Sequence, residues 1–148
     1  YKTKGMVEEG YYTLPIGKAD IKKEGKDVTV VAHSRMTLFA LEAAKELEEE
    51  GISVEVIDPM TLLPLDIETI CESVKKTNHV VLVEEGCKTG GTGAEIGMQI
   101  IENVFDYLDA PIVRVAGADV PMPKSPVLEA LAIPSKESIK QGIKESLK

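Results

Sequence analysis

The sequence predicts an α/β fold in three layers, with helices on both faces of a mainly parallel sheet. Three observations point there. Apolar runs at Val28–Ala32, Val54–Ile57, Val80–Val83 and Ile112–Ala116 alternate with longer stretches at helical spacing, the mark of βαβ units. The run Val80–Val83 is short, wholly apolar and bounded by turn signals, as a central parallel strand is. The right-handed crossover rule then gives a parallel sheet covered on both faces.

Taken in order, 1–10 is polar and without period. It reads as a linker from an upstream domain, with the folded domain over 11–148. Tyr11–Ile16 (YYTLPI) is extended in character, and Pro15 confines it to an edge, where it would add one antiparallel strand. Gly17–Asp27 is charged and loop-like, with Gly25 marking a turn. After Val28–Ala32, Ser34 is placed to cap a helix whose buried stripe is Met36, Ala40, Ala43 and Leu47. Glu48–Glu50 set the far end of that helix in solvent, and Gly51 stops it. Asp58-Pro59 closes the next strand. Asp66 caps a second helix, with Leu65 and Ile70 spaced as a hydrophobic staple and Ile67, Ile70, Cys71 and Val74 as its buried stripe.

The stretch Val80–Gly97, VVLVEEGCKTGGTGAEIG, organises the rest. It runs from the central strand through an acidic pair and a glycine-rich turn into a helix N-terminus, whose first amides have no partner within the helix. Such a corner binds an anion or packs against another subunit. On this helix Ala94, Met98, Ile101, Phe105 and Leu108 line one face, and Gly93 and Gly97 on that side would let it approach the sheet closely. Leu108-Asp109-Ala110-Pro111 ends it. Gly117–Pro134 is a long, proline-rich connection of the kind that is functional or interfacial. Ser135 caps a last helix with the stripe Ile139, Ile143, Leu147.

A length of 148 residues, 43% hydrophobic and 28% charged, fits one globular domain. The net charge of −8 argues against nucleic acid and anionic membrane surfaces, and favours basic protein partners. No apolar run approaches the roughly 20 residues of a membrane span. Cys71 and Cys87 form no CxxC pattern, and His33 and His79 are equally scattered, so neither a metal site nor a disulfide framework is expected. Both read as reduced thiols, Cys87 the more exposed, in a chain that is not secreted. The opening at Tyr1 reads as a piece of something longer.

The candidate chemistry is sparse. Gly91-x-Gly93 lacks the third glycine of a dinucleotide fingerprint, and Gly86-x-x-x-x-Gly91 is followed by Thr92 where a phosphate loop needs lysine. Glu84 and Glu85 are adjacent on a strand and point to opposite faces, so they cannot act as a carboxylate dyad. A carboxylate here is expected to accept from the loop amides that follow it. His33, Asp58, Glu84 and Asp119 end the strands and make a polar rim with no recognisable catalytic set. No G-x-S-x-G elbow supports a hydrolase. The lysines at 22–23, 75–76 and the C-terminus read as solvated surface.

The segments YTLPIGKADIKKEGKDVTVVAHSRM, VIDPMTLLPLDIETI, KKTNHVVLVEEG, GGTGAEI and LDAPIVRVAGADVPMP, in that order, resemble the C-terminal domain of the beta subunit of a thiamine-diphosphate-dependent 2-oxoacid dehydrogenase, most closely the pyruvate dehydrogenase type. The resemblance implies the transketolase C-terminal fold, a mainly parallel five-stranded sheet with one antiparallel edge strand. It implies an enzyme subunit that binds thiamine diphosphate and magnesium through parts this chain does not contain, so that no catalytic, cofactor or metal residue is expected here and the chain alone is expected to be inactive. It implies partners: an alpha subunit, a second beta subunit, and the peripheral-subunit-binding domain of an acyltransferase core. Asp109 and Lys148 match that docking surface, and a bacterial cytoplasmic or mitochondrial matrix location follows. Cys87-Lys88-Thr89 and Lys124 depart from the pattern, which leaves open which 2-oxoacid the parent enzyme uses. The other reading from the residues is a free-standing module that binds an anion or nucleotide at the Gly86–Gly93 corner.

Overall fold

The computed structural model describes residues 5–6 and 9–148. In chain order it contains β1 (Asp20–Lys23), β2 (Val28–Ala32), α1 (Arg35–Glu49), β3 (Val54–Asp58), α2 (Ile67–Thr77) and β4 (Val80–Cys87). Then come α3 (Thr92–Val104), a 3-10 turn (Phe105–Tyr107), β5 (Val113–Gly117), α4 (Pro126–Ala132) and α5 (Lys136–Ser146). The strands align as β1-β3-β2-β4-β5, all parallel except β1, which runs antiparallel to β3. The three-layer, mainly parallel five-stranded sheet expected from the sequence is therefore present.

Alternation along β2 divides the core. Val28, Val30 and Ala32 point to one face, where Val54, Val56, Val81 and Val83 meet α1 and α5. Val31 points to the other, where Ile57, Val80 and Leu82 meet α2 and α3. The stripe Met36, Ala40, Ala43 and Leu47 of α1 is fully buried. One residue of β2 is polar: the Thr29 hydroxyl lies 2.6 Å from Ser73 Oγ and 2.7 Å from Thr77 Oγ1, so α2 satisfies it inside the core. On the opposite layer α1 and α5 are joined by charges. Glu46 takes Lys136 at 2.5 Å and Lys140 at 2.8 Å, while Glu50 takes Lys140 at 3.4 Å and Lys144 at 2.5 Å. Several of the C-terminal lysines are thus a ladder between helices, more than free solvated surface.

Four sequence expectations are corrected here. Tyr11–Ile16 lies outside the sheet and is exposed; the antiparallel edge is Asp20–Lys23. A charged stretch makes a strand there because an outermost strand has one wet side, and its lysines discourage further pairing. Gly25 does close the turn: a Cβ there would stand 2.2 Å from the amide nitrogen of Glu55, which no side chain tolerates. Ser34 occupies the position before α1 with φ 57°, but its side chain makes no capping bond. Asp66 and Ser135 do cap their helices, accepting from Thr69 N–H and Ser138 N–H. The Gly117–Pro134 connection contains a short helix, α4, begun by Pro126.

The fourth correction concerns α3. Its sheet-facing stripe is Gly93, Ile96, Gly97, Ile100 and Val104. Ala94, Met98, Ile101 and Phe105, expected to be buried, are exposed. The helix is apolar on both sides, so periodicity alone does not choose between them. The glycines decide it: a Cβ on Gly97 would sit 3.3 Å from Leu82 Cδ1, so that face is the one pressed on the sheet.

Candidate functional site

At the carboxyl edge of the sheet, where open α/β folds take their ligands, Glu84 fills the glycine corner from inside. It is 4% exposed, and its Oε2 accepts from Gly93 N–H at 3.2 Å and from the Thr92 hydroxyl at 3.2 Å. Its Oε1 accepts from Arg114 Nη2 at 2.8 Å, and the same nitrogen donates to the Lys88 carbonyl at 2.6 Å. The expectation of a carboxylate bonded to the amides after it is borne out. A Cβ on Gly91 would lie 2.3 Å from Glu84 Oε2 and 2.6 Å from the Cys87 carbonyl oxygen, and one on Gly93 2.7 Å from Glu84 Oε1, so a side chain at either position would displace the carboxylate from where it sits. At the N-terminus of α3 one amide, Gly93 N–H, is thus taken by the protein's own carboxylate and is not free for an outside anion.

The rest of the rim is tied down in the same way. Asp119 accepts from Thr89 N–H at 3.0 Å and the Thr89 hydroxyl at 2.7 Å, and these bonds hold its carboxyl below the ordinary range. Asp58 accepts from Met60 N–H at 2.9 Å. His33 Nε2 lies 3.3 Å from Thr92 Oγ1 and so joins the Glu84 network through Thr92. Arg114 and Thr92 carry this cluster without having been singled out from the sequence. An arginine inside the run IVRVA was the available signal, since it must find a carboxylate on the next strand. Cys87 is exposed and Cys71 buried, both as free thiols, and burial pushes the Cys71 thiol up. Among the described residues no three His, Cys, Asp or Glu side chains converge on a metal position.

The outward side of α3 is different in kind. Ala94, Met98, Ile101 and Phe105 join Leu108, Pro111 and Ile112 around an open groove of about 640 Å³. It begins beside Gly93 and Arg114 and ends at Asp109. A second apolar patch, Val120, Met122, Val127, Leu128 and Leu131, is exposed on and before α4. Monomeric domains rarely leave such surfaces uncovered.

Asp109 is exposed at the foot of that groove, and it also lines a smaller cleft of about 360 Å³ with Lys26, Asp27, His79 and Leu147. Leu147 immediately precedes Lys148, so the two positions drawn from the family resemblance approach each other at the same end of the sheet, opposite the glycine corner. Lys148 is exposed, with its N–H donating to the Glu145 carbonyl at 3.3 Å. No helix among the described residues is long and apolar enough to cross a membrane.

Comparison with known proteins agrees with this architecture. Residues 17–139 match the family model for the transketolase C-terminal domain. The mitochondrial pyruvate dehydrogenase E1 component subunit beta-1 of Oryza sativa subsp. japonica is 51% identical over 140 residues, 95% of this chain and 37% of that protein. The pyruvate dehydrogenase E1 component subunit beta of Rhizobium meliloti (strain 1021) is 47% identical over 133 residues, 90% of this chain and 29% of that one. A solved split gene transketolase, an inactive beta4 tetramer, superposes with a TM-score of 0.76 at 34% identity, covering 97% of this chain and 45% of that chain. The chain therefore spans 37% and 29% of the lengths of these two curated relatives. With the five-stranded order, the antiparallel edge and the family match in agreement, this chain belongs to the transketolase C-terminal domain family.

Proposed function

We propose that this chain is the assembly and docking domain of a pyruvate dehydrogenase-type beta subunit. The parent enzyme would decarboxylate a 2-oxoacid oxidatively and pass the acyl group to lipoamide, with thiamine diphosphate and magnesium held by its other parts. The chain itself supplies no catalytic residue. Its partners are an alpha subunit and a second beta subunit, which cover the outer face of α3 and the α4 patch, and the peripheral-subunit-binding domain of an acyltransferase, which docks around Asp109 and Lys148. The parent works in a bacterial cytoplasm or a mitochondrial matrix.

One observation carries this reading: an uncovered apolar groove on the outer side of α3 leads to the exposed Asp109, while the glycine corner at its other end is occupied by the chain's own Glu84. The net charge of −8 suits a basic docking module and favours fast, salt-sensitive association. Calorimetric titration of this chain with a peripheral-subunit-binding domain tests it. Saturable binding that weakens as salt rises, and that Asp109→Ala reduces, is the expected result. Absence of binding at low salt refutes it.

A further inference from the structure

The turn that presents Asp109 makes two hydrogen bonds with Asn78 at the end of α2, and Lys75 Nζ of the same helix lies 5.9 Å from the centroid of the Tyr107 ring. Asn78 ends α2 in the left-handed region, φ 61°, with its own N–H donating to the Val74 carbonyl at 2.8 Å. Its side-chain Nδ2 donates to the Tyr107 carbonyl at 2.7 Å, and its backbone carbonyl accepts from Asp109 N–H at 3.1 Å. These two bonds bracket Leu108 and pin the end of the 3-10 turn to the end of α2. The Asp109 carboxylate, by contrast, has no hydrogen-bond or ion-pair partner among the described residues and stands exposed where groove and cleft meet. Its backbone is fixed and its charge is free.

We propose that Asn78 is the positioning residue of the docking site: its side chain fixes Asp109 for a cationic group of a protein partner without touching that partner. This rests on the docking reading above and adds a determinant to it. A carboxylate on a held backbone meets its partner without first losing conformational freedom, and the saving appears as affinity. Asn78 stops α2 through a left-handed φ that glycine adopts freely. Asn78→Gly therefore removes the Nδ2 bond while leaving the helix end and the Asp109 N–H bond in place. Asn78→Asp removes the same donor, sets an acceptor against the Tyr107 carbonyl, and adds a negative charge. General attraction between an acidic domain and a basic partner would make Asn78→Asp bind more tightly; positioning makes it bind more weakly.

The experiment is titration of the chain, Asn78→Gly, Asn78→Asp, Asp109→Asn and the double variant Asn78→Gly/Asp109→Asn with a peripheral-subunit-binding domain, after thermal melts have shown each to be folded. Asn78→Gly and Asn78→Asp are expected to weaken binding roughly 3- to 10-fold, the loss tied to one hydrogen bond. The double variant is expected to bind like Asp109→Asn alone, because there is no carboxylate left to position. Parental affinity in both Asn78 variants, or a loss that adds in full to that of Asp109→Asn, overturns the positioning role and leaves docking at Asp109 intact. Parental affinity in Asp109→Asn overturns both.

Discussion

Glu84 shows what one buried side chain decides. Its carboxylate joins the end of β4 to the start of α3 and to Arg114 on β5, so three elements meet on two oxygens. Glu84→Ala would leave Gly93 N–H without its acceptor and Arg114, whose side chain is 21% exposed, without its counter-charge. The expected cost is about 2–4 kcal/mol, below that of a fully desolvated pair, with Glu84→Gln losing less because an acceptor remains. Urea unfolding at neutral pH measures both; equal, negligible losses would show that the network is incidental. At this scale the sequence was partly legible. The carboxylate and the glycines were visible, and so was the choice between a filled and an empty corner. Arg114 was quoted within its strand and given no role, because a pattern of apolar residues does not say which strand lies beside it.

The stripes of α1, α2 and α5 were legible because those helices have one wet and one dry side, and so were the caps Asp66 and Ser135, whereas Ser34 before α1 makes no capping bond. Two-sided α3 was not, and β1 hid in a charged segment because an edge strand needs so little apolar surface. The α1–α5 ladder shows how elements are joined outside the core. The Glu46 carboxyl, hydrogen-bonded first by Lys136 and then by Lys140, is held down from 4.5 to about 2. A carboxyl lowered on folding adds stability above its unfolded pKa, and that stability is lost as the pH falls through the folded value, here from 4.5 toward about 2. Glu46→Gln is thus expected to melt lower than the parent at neutral pH, with the two curves converging as pH falls through that window. Because these groups are exposed, about 0.5 M salt should remove most of the difference. A gap that persists unchanged in acid would contradict the ladder. On α3, Ile101→Glu and Phe105→Glu change a wet apolar face. They are expected to leave the melting temperature nearly unchanged while abolishing association with other subunits, followed by sedimentation; a large loss of stability would mean that this face is internal.

For the whole molecule, the sheet divides two kinds of surface. At its carboxyl edge Glu84 and Asp119 tie down the glycine corner, and its other end carries Asp109 and the C-terminal turn beside an open groove. The mainly parallel sheet and its three layers followed from alternating runs and the crossover rule, whereas the strand order was not legible, because the rule sets the hand of a connection and not which strands become neighbours. What covers the outer faces was not legible from periodicity, because a helix face buried by another chain and one buried by its own sheet have the same pattern. Amide hydrogen exchange with and without a peripheral-subunit-binding domain tests the central claim most directly. Slowed exchange at 78–79, 105–110 and the last turn of α5, with 86–93 unchanged, is the predicted result. Unchanged exchange around Asp109 at saturating concentrations of the domain, or slowing confined to the glycine corner, would contradict the account.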